Sequence, residues 1–274
     1  FIDFLPELPL DEGISYVSFY LEDNGQDDTE LLKQVKTTIE EMRNVVDMGT
    51  GKITSDQTED LDWINNWKKF FSSFYIDDIL IKPTWEELKE EDRDKFLIEI
   101  DPGVSFGTGK HETTQLCIRQ LLKYIRGNET YTPQVKTPKV LDVGCGSGIL
   151  SIAAALLGSR DILAIDIDPV AVEVTRENVE LNNVSEYVDA RYGDLTKGVS
   201  YRADIVVANL MADLVMMLTE DVAKHLEDGG IYISSGIIDF KEEEVCETLK
   251  RCGFEIIEIL KKGEWCIIAA RIKQ

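Results

Sequence analysis

Three stretches carry residue types whose spacing suits binding or chemistry. The first, FGTGKHETT over 106–114, sets glycines beside Lys110 and suggests a phosphate cradle. Such a loop needs a glycine five residues before the Gly of its Gly-Lys, and a Ser or Thr after the lysine. Val104 and His111 stand at those places, so the phosphate reading fails. The second stretch, VLDVGCGSGIL over 140–150, puts Gly144, Gly146 and Gly148 where a strand turns into a helix. Glycines there permit a tight turn and close approach of backbone to a ligand, with helix N-terminal amides facing an anionic group. The spacing is GxGxG, not the GxGxxG of a dinucleotide site, and a glycine turn is also what chain geometry alone would ask for. The third, AIDIDP over 164–169, places Asp166 at a strand's carboxyl end, twenty-two residues beyond Gly144. A carboxylate at that distance suits the two hydroxyls of a ribose, and with the glycine turn it points to an adenosine-containing ligand. Asp168, just before Pro169, reads as a helix cap.

Two further polar residues fall on the same edge. Asn209, in DIVVANLMADL, offers one carbonyl acceptor and an amide donor, which suits holding an amino group; its alternative is to cap the following helix. Asp194, in YGDL, either meets an adenine edge or caps a turn.

These residues need a frame, and the texture of the chain supplies one. Strands are expected over 139–143, 161–166, 186–192, 204–208 and 230–235, with helices over 148–157, 170–182, 212–226 and 240–252 between them. Repeated βα units with nearly continuous apolar strands indicate a parallel sheet covered on both faces. FEIIEIL-KKGE-WCIIAARI then closes the chain as an antiparallel hairpin, making seven strands in all. A nicotinamide-binding domain would stay parallel. The fold class is therefore α/β, Rossmann-like, with a terminal antiparallel hairpin, preceded by a small α+β domain. That domain is read as 1–85, with a strand over 14–23, a helix over 28–42 and a second helix over 60–71. A linker over 86–100 leads to the larger domain, 101–274. The chain opens at Phe1 and its first unit starts abruptly, so we expect further residues before it.

The formal charge of −23 is uneven: residues 1–99 carry 25 acids and 10 bases, a balance of −15, against −8 for the remainder. Such a field repels phosphate backbones and attracts basic proteins, so a direct nucleic-acid substrate is not expected. No apolar run reaches the length of a membrane span. Five cysteines without a CxxC pair suit a reducing compartment and buried thiols; we expect a cytoplasmic protein without a metal centre. Oligomeric state cannot be read from these patterns.

DVGCGSGIL, AIDIDP and the closing hairpin resemble the Rossmann-like methyltransferases that use S-adenosylmethionine. FGTGKHETT, VANLMADL, SGII and GEWCIIAARI together resemble the PrmA family, which methylates ribosomal protein eleven of the large subunit; DWINNWKKFF and IKPTWEE are similar to it as well. The resemblance covers most of residues 62–271. It implies cofactor contacts at Thr114, Gly144, Asp166 and Asn209, with Phe106 close by, and Gly146 and Asp194 belong to the same edge. The FGTG-H-TT loop would cover the cofactor and lead into a helix before the first sheet strand. The reaction implied is methylation of lysine side chains and the N-terminal amine of that ribosomal protein, gripped by the smaller domain. No dedicated base is then required, because desolvation favours the neutral amine. His111, with an ordinary pKa near 6.5, is the rival as proton acceptor; its other reading is a bond that shapes the loop. His225 reads as a favourable charge at a helix end. Three other functions compete: a same-fold enzyme acting on a small molecule or nucleic acid, a non-catalytic S-adenosylmethionine-binding module, and a nicotinamide dehydrogenase.

Overall fold

The computed structural model describes residues 29–43, 50–54, 71–101 and 109–273. The strand expected over 14–23, nearly all of the helix expected over 60–71, and Phe106 lie outside the described residues. The chain divides into two compact units, Phe1–Asp60 and Leu61–Gln274. Texture places a boundary at 85/86, whereas compactness places one at 60/61.

Within the first unit, helix α1 spans Thr29–Met42. Leu32, Val35 and Ile39 are its half-buried positions, spaced three and four apart as one face of a helix requires.

The second unit opens with strands β1 (Phe74–Ile76), β2 (Ile79–Lys82) and β3 (Phe96–Glu99), which form a three-stranded sheet. The stretch read as a charged linker thus ends in a strand, after a single 3-10 turn at Glu90–Asp92. Helix α2 (Glu112–Arg126) follows, then β4 (Val140–Val143), α3 (Ile149–Leu157), β5 (Ile162–Asp166) and α4 (Pro169–Leu181). Strands β6 (Val188–Tyr192) and β7 (Ala203–Asn209) lead to α5 (Ala212–Val222) and β8 (Leu226–Ile238). Helix α6 (Glu242–Arg251) and the hairpin of β9 (Phe254–Lys262) and β10 (Trp265–Ile272) complete the unit.

The large sheet has the order β6-β5-β4-β7-β8-β10-β9. Its first five strands pair in parallel, and β10 pairs antiparallel with both β8 and β9. Alternation along each strand feeds two cores. Val140, Ile162, Ala164, Ile205 and Val207 face one core with Ile118 and Leu121 of α2 and Ile152 of α3. Leu141, Leu163, Ile165, Val206 and Ala208 face the other, with Val215 and Leu218 of α5 and Val245 and Leu249 of α6. Helix α3, ILSIAAALL, is apolar all round because it is buried on nearly every side. Asn182 ties the small sheet to this body: its Oδ1 accepts from Glu99 N (2.8 Å) and its Nδ2 donates to Glu99 O (2.8 Å). Asp168 caps α4 by accepting from Val170 N at 2.8 Å, ahead of Pro169, as expected of an Asp-Pro helix start.

Two expectations are revised. Helix α5 stops at Val222 and passes through a 3-10 turn, because β8 already begins at Leu226 and runs longer than 230–235. His225 is buried and bridges elements: Nδ1 lies 2.9 Å from Tyr201 O and Nε2 lies 3.5 Å from Asp221 Oδ2. Among the described residues no helix is long and apolar enough to cross a membrane, and no cluster of three His, Cys, Asp or Glu side chains could hold a metal. All five cysteines are free; four are buried, and Cys252 is partly so.

Candidate functional site

Strand order reverses between β4 and β7, so their carboxyl ends diverge and leave a crevice. Open parallel sheets bind ligands at such a point. A cavity of about 290 Å³ lies there, lined by Thr114, Gly144, Gly146, Asp166, Asp194 and Asn209 among others. Six of the eight positions singled out from sequence therefore meet in one place. His111 does not line the cavity, and Phe106 lies outside the described residues.

The glycine turn has its composition for steric reasons. Gly144, Gly146 and Gly148 all adopt left-handed φ values, +79°, +55° and +80°, which cost an L-residue about 1–2 kcal/mol. A side chain on Gly144 would meet Leu210 Cδ2 at 2.5 Å, and Leu210 is itself a wall of the cavity. The turn is pinned by Ile165 O, which accepts from Gly144 N (2.8 Å) and Cys145 N (3.0 Å).

Asp166 locks the turn from the neighbouring strand. Its Oδ2 accepts from Gly146 N and its Oδ1 from Asp168 N, both at 2.9 Å. Each carboxylate oxygen keeps a further lone pair for a ligand hydroxyl. Asp194 lines the same end and is ion-paired with Lys197. At the other end Asn209 donates from Nδ2 to Thr114 Oγ1 at 3.4 Å. Asn209 is not a helix cap, because the cap position of α5 is Met211. Thr114 is held in the first turn of α2, where His111 is the N-cap and accepts from Thr113 N at 3.3 Å. The His111 ring packs edge-on against Trp265 at 5.0 Å. It shapes the start of this helix.

The chemical fit to an adenosyl amino acid is good. One end offers a held carboxylate and a glycine turn, and the other offers a side-chain amide. Ile149, Leu150, Ile165, Ile167, Leu210 and Leu214 supply apolar walls between them. This mixture of apolar lining and few oriented polar groups is usual for small-molecule sites.

One residue went unremarked in the sequence. Asp142, within the apolar strand VLDV, is fully buried beneath the glycine turn. Its Oδ2 accepts from Ser151 Oγ at 2.7 Å, while Oδ1 has no hydrogen-bond partner among the described residues. Burial, with a smaller push from the Asp166 charge, raises its pKa to about 7, although the Ser151 hydroxyl opposes this. A carboxylate at an otherwise apolar strand position was the available signal.

A seven-stranded sheet with parallel strands and an antiparallel closing hairpin, carrying its cavity at the β4/β7 reversal, defines a Rossmann-like methyltransferase. The family model "Ribosomal protein L11 methyltransferase (PrmA)" matches residues 4–273, and the chain belongs to that family. A ribosomal protein L11 methyltransferase of Agathobacter rectalis is 54% identical over 279 residues, covering 99% of this chain and 84% of that protein. One of Lachnospira eligens is 43% identical, covering 100% and 86%. A crystal structure of ribosomal protein L11 methylase from Lactobacillus delbrueckii subsp. bulgaricus superposes with a TM-score of 0.67 at 30% identity, over 74% of this chain and 100% of that one.

Proposed function

We propose that the chain methylates amino groups of ribosomal protein L11, on lysine side chains and the N-terminal amine, using S-adenosylmethionine. The observation that carries this reading is the meeting of Thr114, Gly144, Asp166 and Asn209 around one cavity at the β4/β7 reversal. The names of relatives up to 54% identical supply the substrate.

S-adenosylmethionine would supply an electrophilic methyl group carried on a cationic sulfur. Asp166 would hold the ribose hydroxyls with the lone pairs that Gly146 and Asp168 leave open, and Asp194 would face the adenine. Phe106, in the preceding loop, would lie against the ligand. With Asn209 Nδ2 engaged by Thr114, its carbonyl oxygen is the group left to orient the incoming amine. At neutral pH only roughly one lysine amine in two thousand is unprotonated. Apolar walls such as Leu210 and Leu214 favour that neutral form as the amine loses water. Positioning and desolvation then carry the reaction, and the proton leaves to solvent. His111, committed to capping α2, acts on structure.

Residues 1–85 are assigned the substrate grip, 86–100 the connection and 101–274 the transfer, in a cytoplasmic protein without direct nucleic-acid or membrane contact. The balance of −15 over residues 1–99 suits a basic partner. Incubation of the full chain with labelled S-adenosylmethionine and ribosomal protein L11, followed by mass spectrometry, tests the reading. Methylated amines are expected; label that enters only RNA or a small molecule would overturn it.

A further inference from the structure

The most exposed large apolar residues among those described are Phe240 (74%), Met211 (72%), Tyr192 (67%) and Ile167 (60%). All four sit at or just past the carboxyl ends of strands of the large sheet, on the edge that carries the cavity. They divide into two pairs. Tyr192 and Ile167 flank the end of the mouth where Asp166 and Asp194 stand, and Ile167 lines the cavity itself. Met211 follows the Asn209 end by two residues and Phe240 follows the neighbouring strand β8; neither lines this cavity.

The second pair sits on a rigid frame. Met211 follows Asn209 by two residues, at most about 7 Å of chain. Leu210 N donates to Ser235 O at 3.0 Å, which ties this corner to β8. Gly236 packs so closely on the Leu210 backbone that no side chain fits there. Beyond it, Asp239 N donates to Glu264 O at 2.8 Å, joining the segment before Phe240 to the β9–β10 turn. Acids surround the pair. Asp213, Asp239 and Glu264 are exposed, and residues 239–244 hold four acids against Lys241. That lysine is already engaged by Glu244 at 2.6 Å and lies 3.7 Å from Asp213.

Exposed apolar side chains rimmed by charge mark interaction surfaces. We propose that the Met211–Phe240 rim, with Asp213, Asp239 and Glu264, seats the cationic protein segment that flanks the accepting amine. Charge selects this occupant: RNA would be repelled, and so would a second copy presenting the same acidic rim. Met211 is an adaptable contact that can serve more than one flanking sequence. The inference rests on the protein-methylating reading and adds where the acceptor chain lies.

The test uses the full chain and its Met211→Ser/Phe240→Ser variant, both positions being exposed and outside the core. Methyl transfer to ribosomal protein L11 is measured at saturating S-adenosylmethionine, alongside calorimetric binding of S-adenosylhomocysteine. The variant is expected to raise KM for the protein about tenfold, equivalent to about 1.4 kcal/mol. Its kcat and its affinity for S-adenosylhomocysteine should stay within twofold of the parent's. Asp213→Asn/Asp239→Asn should flatten the salt dependence of kcat/KM. An unchanged KM overturns the rim while leaving the methylation reading standing. A KM that rises only together with lost S-adenosylhomocysteine affinity also overturns it, since the change would then act through the cavity. A parent that transfers no methyl to the protein removes both. Sedimentation showing a dimer that the rim variant dissolves would replace the acceptor segment with a second copy.

Discussion

Asp142 gives the sharpest quantitative expectation. It is fully buried, its Oδ1 lacks a partner, and burial raises its pKa from 3.8 to about 7. A carboxyl whose folded pKa is raised binds its proton more tightly in the folded state. Its contribution is therefore fully present below pH 3.8 and is lost as pH rises through about 7. The whole loss is roughly 4 kcal/mol, at 1.36 kcal/mol per unit. About 2 kcal/mol of it falls between pH 5.5 and pH 8.5. Asp142→Asn keeps an acceptor for Ser151 and removes the titration. Its buried amide hydrogens cost on the order of 1–3 kcal/mol, but that cost does not vary with pH. The variant-minus-parent stability, from urea unfolding followed by near-ultraviolet circular dichroism, should therefore rise by about 2 kcal/mol over that range. Carboxylates that do not feel the Asp142 charge, which excludes Asp166, cancel in the difference. Direct NMR titration of the Asp142 carboxyl carbon should give a midpoint near 7. A midpoint below about 5, or a stability difference flat to about 0.5 kcal/mol across the range, would refute the assignment of a proton-holding carboxyl beneath the turn.

The remaining expectations concern the cavity. Asp166→Ala removes the acceptor for Gly146 N and Asp168 N as well as the proposed ribose contact, so S-adenosylmethionine should bind at least a hundredfold more weakly by calorimetry, a loss of about 3 kcal/mol. Gly144→Ala combines a left-handed φ of +79° with displacement of Leu210; at least tenfold weaker cofactor binding is expected, and unchanged binding would exclude a tight backbone approach there. Gly236→Ala would push directly on the Leu210 backbone at a φ of +80°, and should cost about 1–3 kcal/mol in thermal unfolding. His111→Gln should leave the pH profile of kcat unchanged and lose about 1 kcal/mol of stability, the worth of a cap; a vanished limb of the profile would instead make His111 the base.

What could be read in advance follows from how locally each feature is determined. The glycine turn is written in its own residues, since three consecutive alternate positions need φ values open to glycine. Asp166 was legible because a carboxylate at a strand end, one βα unit later, is set by spacing. Strands β4, β5 and β7 announced themselves as apolar runs because both faces are covered. Strands β1 and β3 did not: three or four residues beside a charged stretch show no periodicity, and their partners are fixed by packing. Asn209 shows the limit from the other side. Its sequence context fits a helix cap as well as a site residue, and only the step to Met211 as cap, with Thr114 brought from ninety-five residues away, separates the two. Asp142 is the converse case, because its type is anomalous in a buried strand and yet passed unremarked, while its consequence depends on Ser151 and on the Asp166 charge, contributed by two further elements. The turn above it and the carboxyl below it are thus coupled. Ionising Asp142 places a second negative charge behind the carboxylate that pins Gly146, so the same burial that destabilises the protein at high pH also raises the field at the cavity floor, where a cationic ligand would be drawn in.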